Sequence, residues 1–400
     1  MTRASDTAKL LGAGGTLLGA LSVDTISENT SGNGVNIDGL NVKDSGISGG
    51  QIGGRRNIVI NGAMQVAQRA TSVTGLGDDN DENYPTVDRF EINGNAGAGR
   101  FTMTQEAVTD LPGFPECIKL DCTTADTSIA AAERLFIQTK IEGQDLQATG
   151  TGTADAKPIT LSFYAKASAS FKFVAALLNV DNDRYAGSTF DVTTSWQRFL
   201  ITFPADVDDG SSPFDNDNAD SLHIRFFLHA GANYTSGTLS STFANAVAAN
   251  TYDSNAGSFY SSTDNNFFLT GVQLEVGSVA TPFEHRSFGE ELQLCKRYFN
   301  QIGGQTAYQN IIQTMWISDN TAVSPYYHRP ALRATPTIAK LQNYSSLGPG
   351  TIGQTLSTDQ NGLNSVQFGF SGGSGGTSGI SVVLRGNNNS GVYITFDAEL

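Results

Sequence analysis

Short segments in which apolar and polar residues alternate recur through the middle of the chain, beginning with 57–64, which is expected to turn at Asn61 and Gly62. In one of them Ile159, Leu161, Phe163 and Ala165 fall on one side of an extended backbone. Glycine, asparagine and aspartate, which favour turns, separate these segments. Many short strands joined by tight turns favour antiparallel sheets, and a span of this length favours a two-sheet jelly roll. We therefore predict that residues 56–286 form an antiparallel jelly-roll β-sandwich.

The first 55 residues contain no aromatic side chain and so lack the material for an ordinary core. Val35, Ile37, Leu40 and Val42 are nevertheless spaced by about two, with glycines between them. One such chain is too thin to be stable, whereas several copies around a shared axis bury these side chains against each other. The pattern predicts an intertwined, three-chain fibre stalk. The alternative is a disordered, glycine-rich linker.

A single segment, 288–299, has helical periodicity, with Leu292 and Cys295 three residues apart. Ser287 precedes it and Glu290 follows three residues later, which is the pattern of a capping box. We predict a short linking helix within residues 287–300.

Alternating apolar segments return after the helix, at 308–317, 382–384 and 392–396. They predict a second, C-terminal β-sandwich domain over residues 301–400. The glycine- and serine-rich stretch 371–379 is interpreted as a long hairpin loop within it.

Five longer stretches occur in order along the chain: NIVINGAMQVAQR (57–69), YPTVDRF (84–90), TLSFYAKA (160–167), LTGVQLEVGSVATPFEHR (269–286) and ELQLCKRYF (291–299). Together they resemble a module that is common in bacteriophage tail-fibre and virion proteins. The resemblance implies a virion-attachment and stalk segment (1–55), a carbohydrate-binding-module-like jelly roll, the linking helix and a distal β domain, assembled as a homotrimer. It implies no catalytic residues.

This resemblance makes the expected function that of a trimeric tail fibre, which binds a host cell-surface glycan during adsorption and is not an enzyme. The N-terminus is expected to contact other tail or baseplate proteins, and the expected location is the virion tail after assembly in the host cytoplasm. Two alternatives stay open. One is a structural fibre of the head, collar or baseplate that binds no receptor, and the other is a polysaccharide depolymerase.

The chain has 24 basic and 39 acidic residues and a formal net charge of −15. An acidic surface repels nucleic acid and anionic lipid, so we expect neither as a partner. No apolar run is long enough to predict a membrane span. The three cysteines are too few for a disulfide framework, and we expect reduced, partly buried thiols.

Sugar recognition commonly combines an exposed aromatic ring with neighbouring amide or carboxylate groups. On this basis we predict a set of ligand-binding residues: Tyr164, Asn182, Asp183, Tyr185, Tyr234 and Tyr327. Trp196 and Tyr260 are aromatic candidates of the same kind. Trp196, which precedes a strand, is expected to belong to the core. Tyr326 and His328 are further candidates in the distal domain.

Acidic clusters occur at 78–83, 181–183, 206–209 and 215–220, and calcium is the cofactor that such oxygen ligands would hold. None of the clusters matches an EF-hand loop, so the expected cofactor set is none, with calcium as the alternative to solvated acidic loops. His223 and His229 fall on one side of a strand by parity, but their spacing of six is too wide for neighbouring metal ligands. No metal site is predicted.

Overall fold

The computed structural model describes residues 35–37, 40–43, 46–48, 55–78, 81–95, 97–207, 213–341, 343–388 and 391–400. The chain divides into two compact units, residues 1–52 and 53–400. In the first unit three short strands form an antiparallel sheet: β1 (Val35–Ile37), β2 (Leu40–Lys43) and β3 (Gly46–Ser48). The rest of the predicted stalk lies outside the described residues, and the three-chain stalk stays a prediction.

The first part of the second unit is built from two antiparallel sheets. Sheet A has six strands: β4 (Ser72–Leu76), β7 (Arg100–Ala107), β8 (Glu116–Thr124), β10 (Ile159–Ala167), β13 (Gln197–Phe203) and β16 (Asn266–Val276). Sheet B has seven: β5 (Asp81–Asn83), β6 (Glu91–Asn95), β9 (Arg134–Glu142), β11 (Phe171–Asn179), β12 (Arg184–Val192), β14 (Asp220–Ala230) and β15 (Ala244–Asn245). One large apolar core contains side chains from both sheets.

The strands β8 to β14 and β16 define the topology. Apart from the β11–β12 hairpin within sheet B, successive strands alternate between the sheets and give the neighbour orders β8-β16-β10-β13 and β9-β14-β11-β12. These are the two four-stranded sheets of a jelly roll. The predicted antiparallel jelly roll is therefore confirmed.

The alternation in the sequence explains how these strands pack. Ile159, Leu161, Phe163 and Ala165 of β10 are all buried in the core, at 2% exposure or less, as their spacing predicts. Strand β11 is apolar on both sides, and both of its faces are buried. A strand of this kind needs a covering layer on its outer face as well as the core on its inner face.

The segment 57–64 is not a regular strand, which corrects the expectation that it alternates as one. The Asn57 side chain takes the place of a backbone ladder, since its Nδ2 donates to the carbonyl of Val272 and its Oδ1 accepts from the amide of Leu274. Asn61 and Met64 adopt left-handed backbone conformations, with φ of 59° at both. The predicted turn at residue 61 is present.

The described residues contain two α-helices, α1 (Ala232–Thr235) and α2 (Phe288–Lys296), and single 3₁₀ turns at Gly143–Asp145, Gln147–Thr149, Ala248–Asn250 and Phe259–Ser261. The capping box predicted for α2 is confirmed, because the Ser287 side chain accepts from the Glu290 amide and the Glu290 side chain accepts from the Ser287 amide. The helix ends three residues earlier than predicted. Phe299 instead begins the next strand.

The distal part is a second antiparallel sandwich, as predicted. Sheet C contains β17 (Phe299–Gly303), β20 (Thr337–Leu341) and β25 (Tyr393–Asp397) in the order β17-β25-β20. Sheet D contains β18 (Asn310–Trp316), β19 (Thr321–Tyr327), β21 (Tyr344–Leu347), β22 (Thr355–Asp359), β23 (Ser365–Ser371) and β24 (Ser381–Gly386) in the order β21-β24-β18-β19-β23-β22. Trp316, Phe368, Phe370, Ile394 and Phe396 form the centre of its core.

The glycine-rich stretch 371–379 is not a hairpin loop, because the strands on either side of it, β23 and β24, are not neighbours. Strands β18 and β19 lie between them. The stretch therefore connects across the sheet, and Gly376 approaches Trp316 so closely that a Cβ atom there would lie 2.4 Å from the indole ring.

Candidate functional site

The outer face of sheet B is divided into an apolar part and a polar part. The apolar part consists of side chains that pack together on four neighbouring strands: Phe136, Val174, Ala176, Tyr185 and Phe227. Residues 231–258, which leave the end of β14, pack over it. This layer is the cover that the apolar sequence of β11 requires.

The polar part, called the polar band below, lies beside this cover on β5, β6, β9 and β14. It consists of Glu82, Glu91, Asn93, Arg134, Gln138, Lys140, His223 and Arg225. Strand register brings them together, since Gln138 lies opposite both Glu91 and Arg225, and Lys140 lies opposite His223. Gln138 and Glu91 are almost fully buried and form its floor. Arg134, Lys140 and Arg225 are half-buried and Glu82 is exposed, so these four form the accessible layer.

A continuous chain of hydrogen bonds crosses the polar band. Lys140 Nζ lies 2.9 Å from Glu91 Oε2, and Gln138 Nε2 donates to the same oxygen at 3.1 Å. Arg225 Nε donates to Gln138 Oε1 at 2.9 Å, and its Nη2 lies 3.2 Å from His223 Nδ1. Each side chain is thereby held in one orientation by its neighbours, which is the preorganisation that recognition of a polar ligand needs.

The protonation state of His223 follows from its partners. The Arg225 guanidinium can only donate, so Nδ1 is the acceptor and Nε2 carries the proton. Nε2 then donates to Asp220 Oδ2 at 2.7 Å. Burial, and then the nearby Arg225 cation, hold the pKa of His223 below its ordinary value, although Asp220 raises it. The same hydrogen bond from His223 lowers the pKa of Asp220 to about 2.

Two arginines share one aromatic ring at the edge of the polar band. The guanidinium carbons of Arg225 and Arg134 lie 4.7 Å and 5.7 Å from the centre of the Phe136 ring. Arg134 Nε donates to Asn93 Oδ1 and its Nη1 donates to the hydroxyl of Tyr234, both at 2.9 Å. Burial, with Arg134 as a neighbouring cation, lowers the pKa of Arg225 to about 10.

Two segments border the polar band at opposite ends. Tyr234 of α1, within the cover, contacts it through Arg134. At the other end the carbonyl oxygen of Leu400 accepts from Lys140 Nζ at 2.9 Å and from the hydroxyl of Tyr84 at 3.2 Å. The band therefore lies between the jelly-roll cover and the last residues of the distal domain.

The structure does not bring the predicted ligand-binding residues together. Tyr234 is at the edge of the polar band, but Tyr185 is 2% exposed beneath the cover, where its hydroxyl donates to the carbonyl of Thr251. Tyr164 lies on sheet A with its ring 4.9 Å from that of Phe114, and Tyr327 is exposed in the distal domain.

Asn182 and Asp183 form the turn between β11 and β12, where Asp183 has a left-handed backbone with φ of 50°. The backbone amide of Asn182 donates to Asn179 and its side-chain amide donates to the carbonyl of Pro213. These contacts fix the turn. They do not place either side chain in the polar band.

Trp196 is not a core residue, contrary to expectation. It is half-exposed on the outer face of sheet A, where its Nε1 donates to Asp110 Oδ1 at 2.9 Å. Lys166 lies 4.9 Å from the centre of its ring and 2.7 Å from the other oxygen of Asp110. Phe268 completes this group, which we call the aromatic patch: Asp110, Lys166, Trp196 and Phe268.

The other aromatic candidates are structural. Tyr260 is buried against Phe101 and Phe259. Tyr326 stacks on Phe396 with an angle of 8° between the rings, and His328 is buried against the same ring.

His223 and His229 lie on opposite sides of β14, which corrects the parity argument. A β-bulge between Phe227 and His229 shifts the register, so His229 pairs with Leu135 and bonds Glu133 and Ser258. Across the described residues no group of three or more His, Cys, Asp or Glu side chains is placed to hold a metal ion.

The thiols of Cys117, Cys122 and Cys295 are free and buried, and burial raises the pKa of each. No α-helix within the described ranges has the length and apolar character that crossing a membrane requires.

Sequence comparisons find no matching protein-family profile and no matching curated protein. Solved structures with similar folds include the enzymatically active domain of tailspike protein 4 from bacteriophage CBA120, at 12% identity and a TM-score of 0.28 over 55% of this chain and 21% of that one. A family 11 carbohydrate-binding module from Clostridium thermocellum, in complex with a β-1,3-1,4-mixed-linked tetrasaccharide, matches at 12% identity and a TM-score of 0.25, over 53% of this chain and 99% of the module. The module TmCBM61, in complex with β-1,4-galactotriose, matches at 8% identity and a TM-score of 0.27, over 56% of this chain and 99% of the module. Because these TM-scores are low, we assign the fold from the strand order described above and not from these similarities.

Proposed function

We propose that this chain is a structural component of a bacteriophage virion, a trimeric tail fibre whose jelly-roll domain binds a host cell-surface glycan through the polar band. The observation that carries the glycan proposal is the band itself, a preorganised row of donors and acceptors on the outer face of sheet B. The stretches at 57–69 and 269–286, with their resemblance to phage fibre modules, support the virion role. The N-terminal segment is proposed to attach the fibre to other tail or baseplate proteins.

The chemistry of the band suits a sugar. Vicinal hydroxyls present paired donors and acceptors, and the band offers the Arg225, Lys140 and Glu82 side chains at its accessible layer. The half-exposed ring of Tyr234 provides an apolar surface at the same edge for the face of a pyranose. A weak site of this kind gains avidity when several copies are displayed on one particle.

Support for the homotrimer comes from the surface of sheet D. Four large apolar side chains are exposed on or beside its outer face: Met315 (46%), Ile317 (51%), Leu347 (49%) and Ile380 (43%). The six strands of sheet D contain only two charged residues, Asp359 and Arg385. Copies of a chain with a net charge of −15 can meet at such a neutral face without strong repulsion.

Light scattering tests the assembly. The expected mass is three times 42.3 kDa, and Met315→Lys should shift it toward the monomer, while Val279→Lys, an equally exposed apolar position in the jelly-roll domain, should not. A stable monomer of the unaltered chain would exclude the trimer.

Adsorption competition tests the receptor function. Labelled protein in excess should coat host cells and prevent the phage from attaching. Tyr234→Ala should abolish coating, whereas Trp196→Ala, which removes a half-exposed aromatic ring from the opposite sheet, should leave it intact. The reverse result would move the glycan site to the aromatic patch. Absence of coating by trimeric protein would instead favour a structural fibre of the head, collar or baseplate.

A further inference from the structure

Arg134 and Arg225 each place a guanidinium against the Phe136 ring. Neither guanidinium has a carboxylate within ion-pair distance among the described residues, although the chain has 39 acidic and only 24 basic residues. Their hydrogen bonds go to neutral groups: Asn93 Oδ1, the Tyr234 hydroxyl, Gln138 Oε1 and His223 Nδ1.

The carboxylates of the polar band are occupied elsewhere. Glu91 accepts from Lys140 and Gln138, and Glu82 accepts from the side-chain amide of Asn93. Asp220 is held by His223, which is neutral in the tautomer described above. Neither arginine therefore has a carboxylate as a direct hydrogen-bond partner, and Glu91 and Glu82 favour the charged form of Arg225 only from beyond ion-pair distance.

This arrangement costs free energy in the absence of a ligand. Arg225 is largely withdrawn from water and Arg134 is a like charge beside it, and both effects disfavour its charged form, as its lowered pKa reflects. An anion bound to these guanidiniums would relieve both, through charge-assisted hydrogen bonds to N–H groups that their neutral partners leave free.

We infer that the polar band recognises an acidic polysaccharide, with an anionic substituent of the sugar bound by the guanidiniums of Arg134 and Arg225. The inference rests on the proposed glycan-binding function and names its substrate class. The substituent is a carboxylate, as in a uronic acid, or a sulfate ester, since the same pair of guanidiniums fits either chemistry.

Affinity electrophoresis of the full-length protein separates these cases. The gels contain polygalacturonate, the same polymer after reduction of its carboxyl groups, dextran sulfate, or dextran. Retardation is expected in polygalacturonate or in dextran sulfate, which distinguishes a carboxylate from a sulfate ester, and not in the two neutral polymers. It should weaken as salt is added.

Variants assign the effect to the two arginines. Arg134→Gln and Arg225→Gln should each weaken binding about tenfold or more, because each removes a charged hydrogen-bond donor. Lys119→Gln removes the same charge from the other sheet, where Lys119 pairs with Glu106, and should bind as the unaltered chain does. Glu82→Gln, which keeps a side-chain oxygen to accept from Asn93 Nδ2, should strengthen binding by removing a nearby negative charge.

The outcomes are distinguishable. Equal retardation by polygalacturonate and its reduced form, or unchanged binding by both arginine variants, overturns the acidic ligand but leaves glycan binding in place. If neither anionic polymer retards the protein while host cells are still coated, the acidic ligand is also overturned. If the protein neither coats host cells nor binds any polymer, both the proposed glycan-binding function and the acidic ligand are overturned.

Discussion

Glu399 provides a sharp test of how the distal domain is joined to the jelly roll. Arg89 of the jelly roll is 1% exposed, and Glu399 is its carboxylate partner among the described residues. Burial alone would lower the pKa of Arg89, but the Glu399 carboxylate, together with Tyr298 and Tyr84, holds it above its ordinary value. The Arg89 guanidinium also lies 3.5 Å from the centre of the Tyr298 ring. We predict that Glu399→Gln strongly destabilises the fold.

The magnitude follows from burial. Removing one member of a buried ion pair costs about 3–5 kcal/mol, because the remaining charge stays in a poorly solvated site. Asp397→Asn is the control, since Asp397 pairs with Arg69 of the jelly roll at 3.0 Å but its side chain is 43% exposed, and Arg69 keeps Glu399 as a second partner at 3.3 Å. A pair of that kind is worth about 0–1 kcal/mol.

Urea unfolding followed by tryptophan fluorescence measures both variants. Trp196 reports on the jelly roll and Trp316 on the distal core, so a Trp316→Phe background separates the two signals. Glu399→Gln should lower the free energy of unfolding by several times the effect of Asp397→Asn. Equal effects of the two variants, both below about 1 kcal/mol, would refute the argument that a buried charge pair links the domains.

Three further predictions concern the pH dependence of stability, one buried hydrogen bond and enzymatic cleavage of polysaccharide. Burial raises the pKa of Asp88 to about 6, so the folded protein holds this proton more tightly than the unfolded chain, and the resulting stability is present below pH about 4 and lost as the pH rises through 6. Asp88→Asn should remove this loss, and its unfolding free energy relative to the unaltered chain should rise by up to about 3 kcal/mol between pH 4 and pH 7 in parallel urea titrations. Tyr185→Phe should cost about 1 kcal/mol by leaving the Thr251 carbonyl without its donor, yet leave cell coating unchanged. The trimer should release no reducing ends from host polysaccharide, and their release would instead favour a depolymerase.

The fold was largely predictable because its strands are half-buried. Period-two alternation places Ile159, Leu161 and Phe163 in the core whatever their partners are, and the pattern therefore survives in the structure. Two local expectations failed for tertiary reasons. Asn57 replaces a backbone ladder with its side chain, and the bulge before His229 reverses parity within one strand. Neither the Asn57 side-chain contacts nor the bulge can be recognised from the local alternation of apolar and polar residues.

The candidate site was much less predictable. The sequence predicts Tyr185 as a ligand-binding residue because it follows polar turn residues, but the cover formed by residues 231–258 buries it. The polar sequence of that segment gives no indication that it packs over the sheet. The residues of the band come from four strands spread between Glu82 and Arg225, so only the strand register brings them together. One signal was available: His223 and Arg225 alternate with apolar residues on a strand whose other side is core.

The division of sheet B into covered and open parts explains why a site can exist there at all. Where Val174 and Ala176 of β11 face outward, the sheet is apolar and the cover is obligatory for stability. Toward β6 and β9 the outward positions become charged or amide side chains, and the cover ends at Tyr234. Extending the cover over the band would bury two unpaired guanidiniums at a cost that the available apolar contacts do not offset. The same alternation that builds the sandwich therefore fixes where its surface must stay open to solvent.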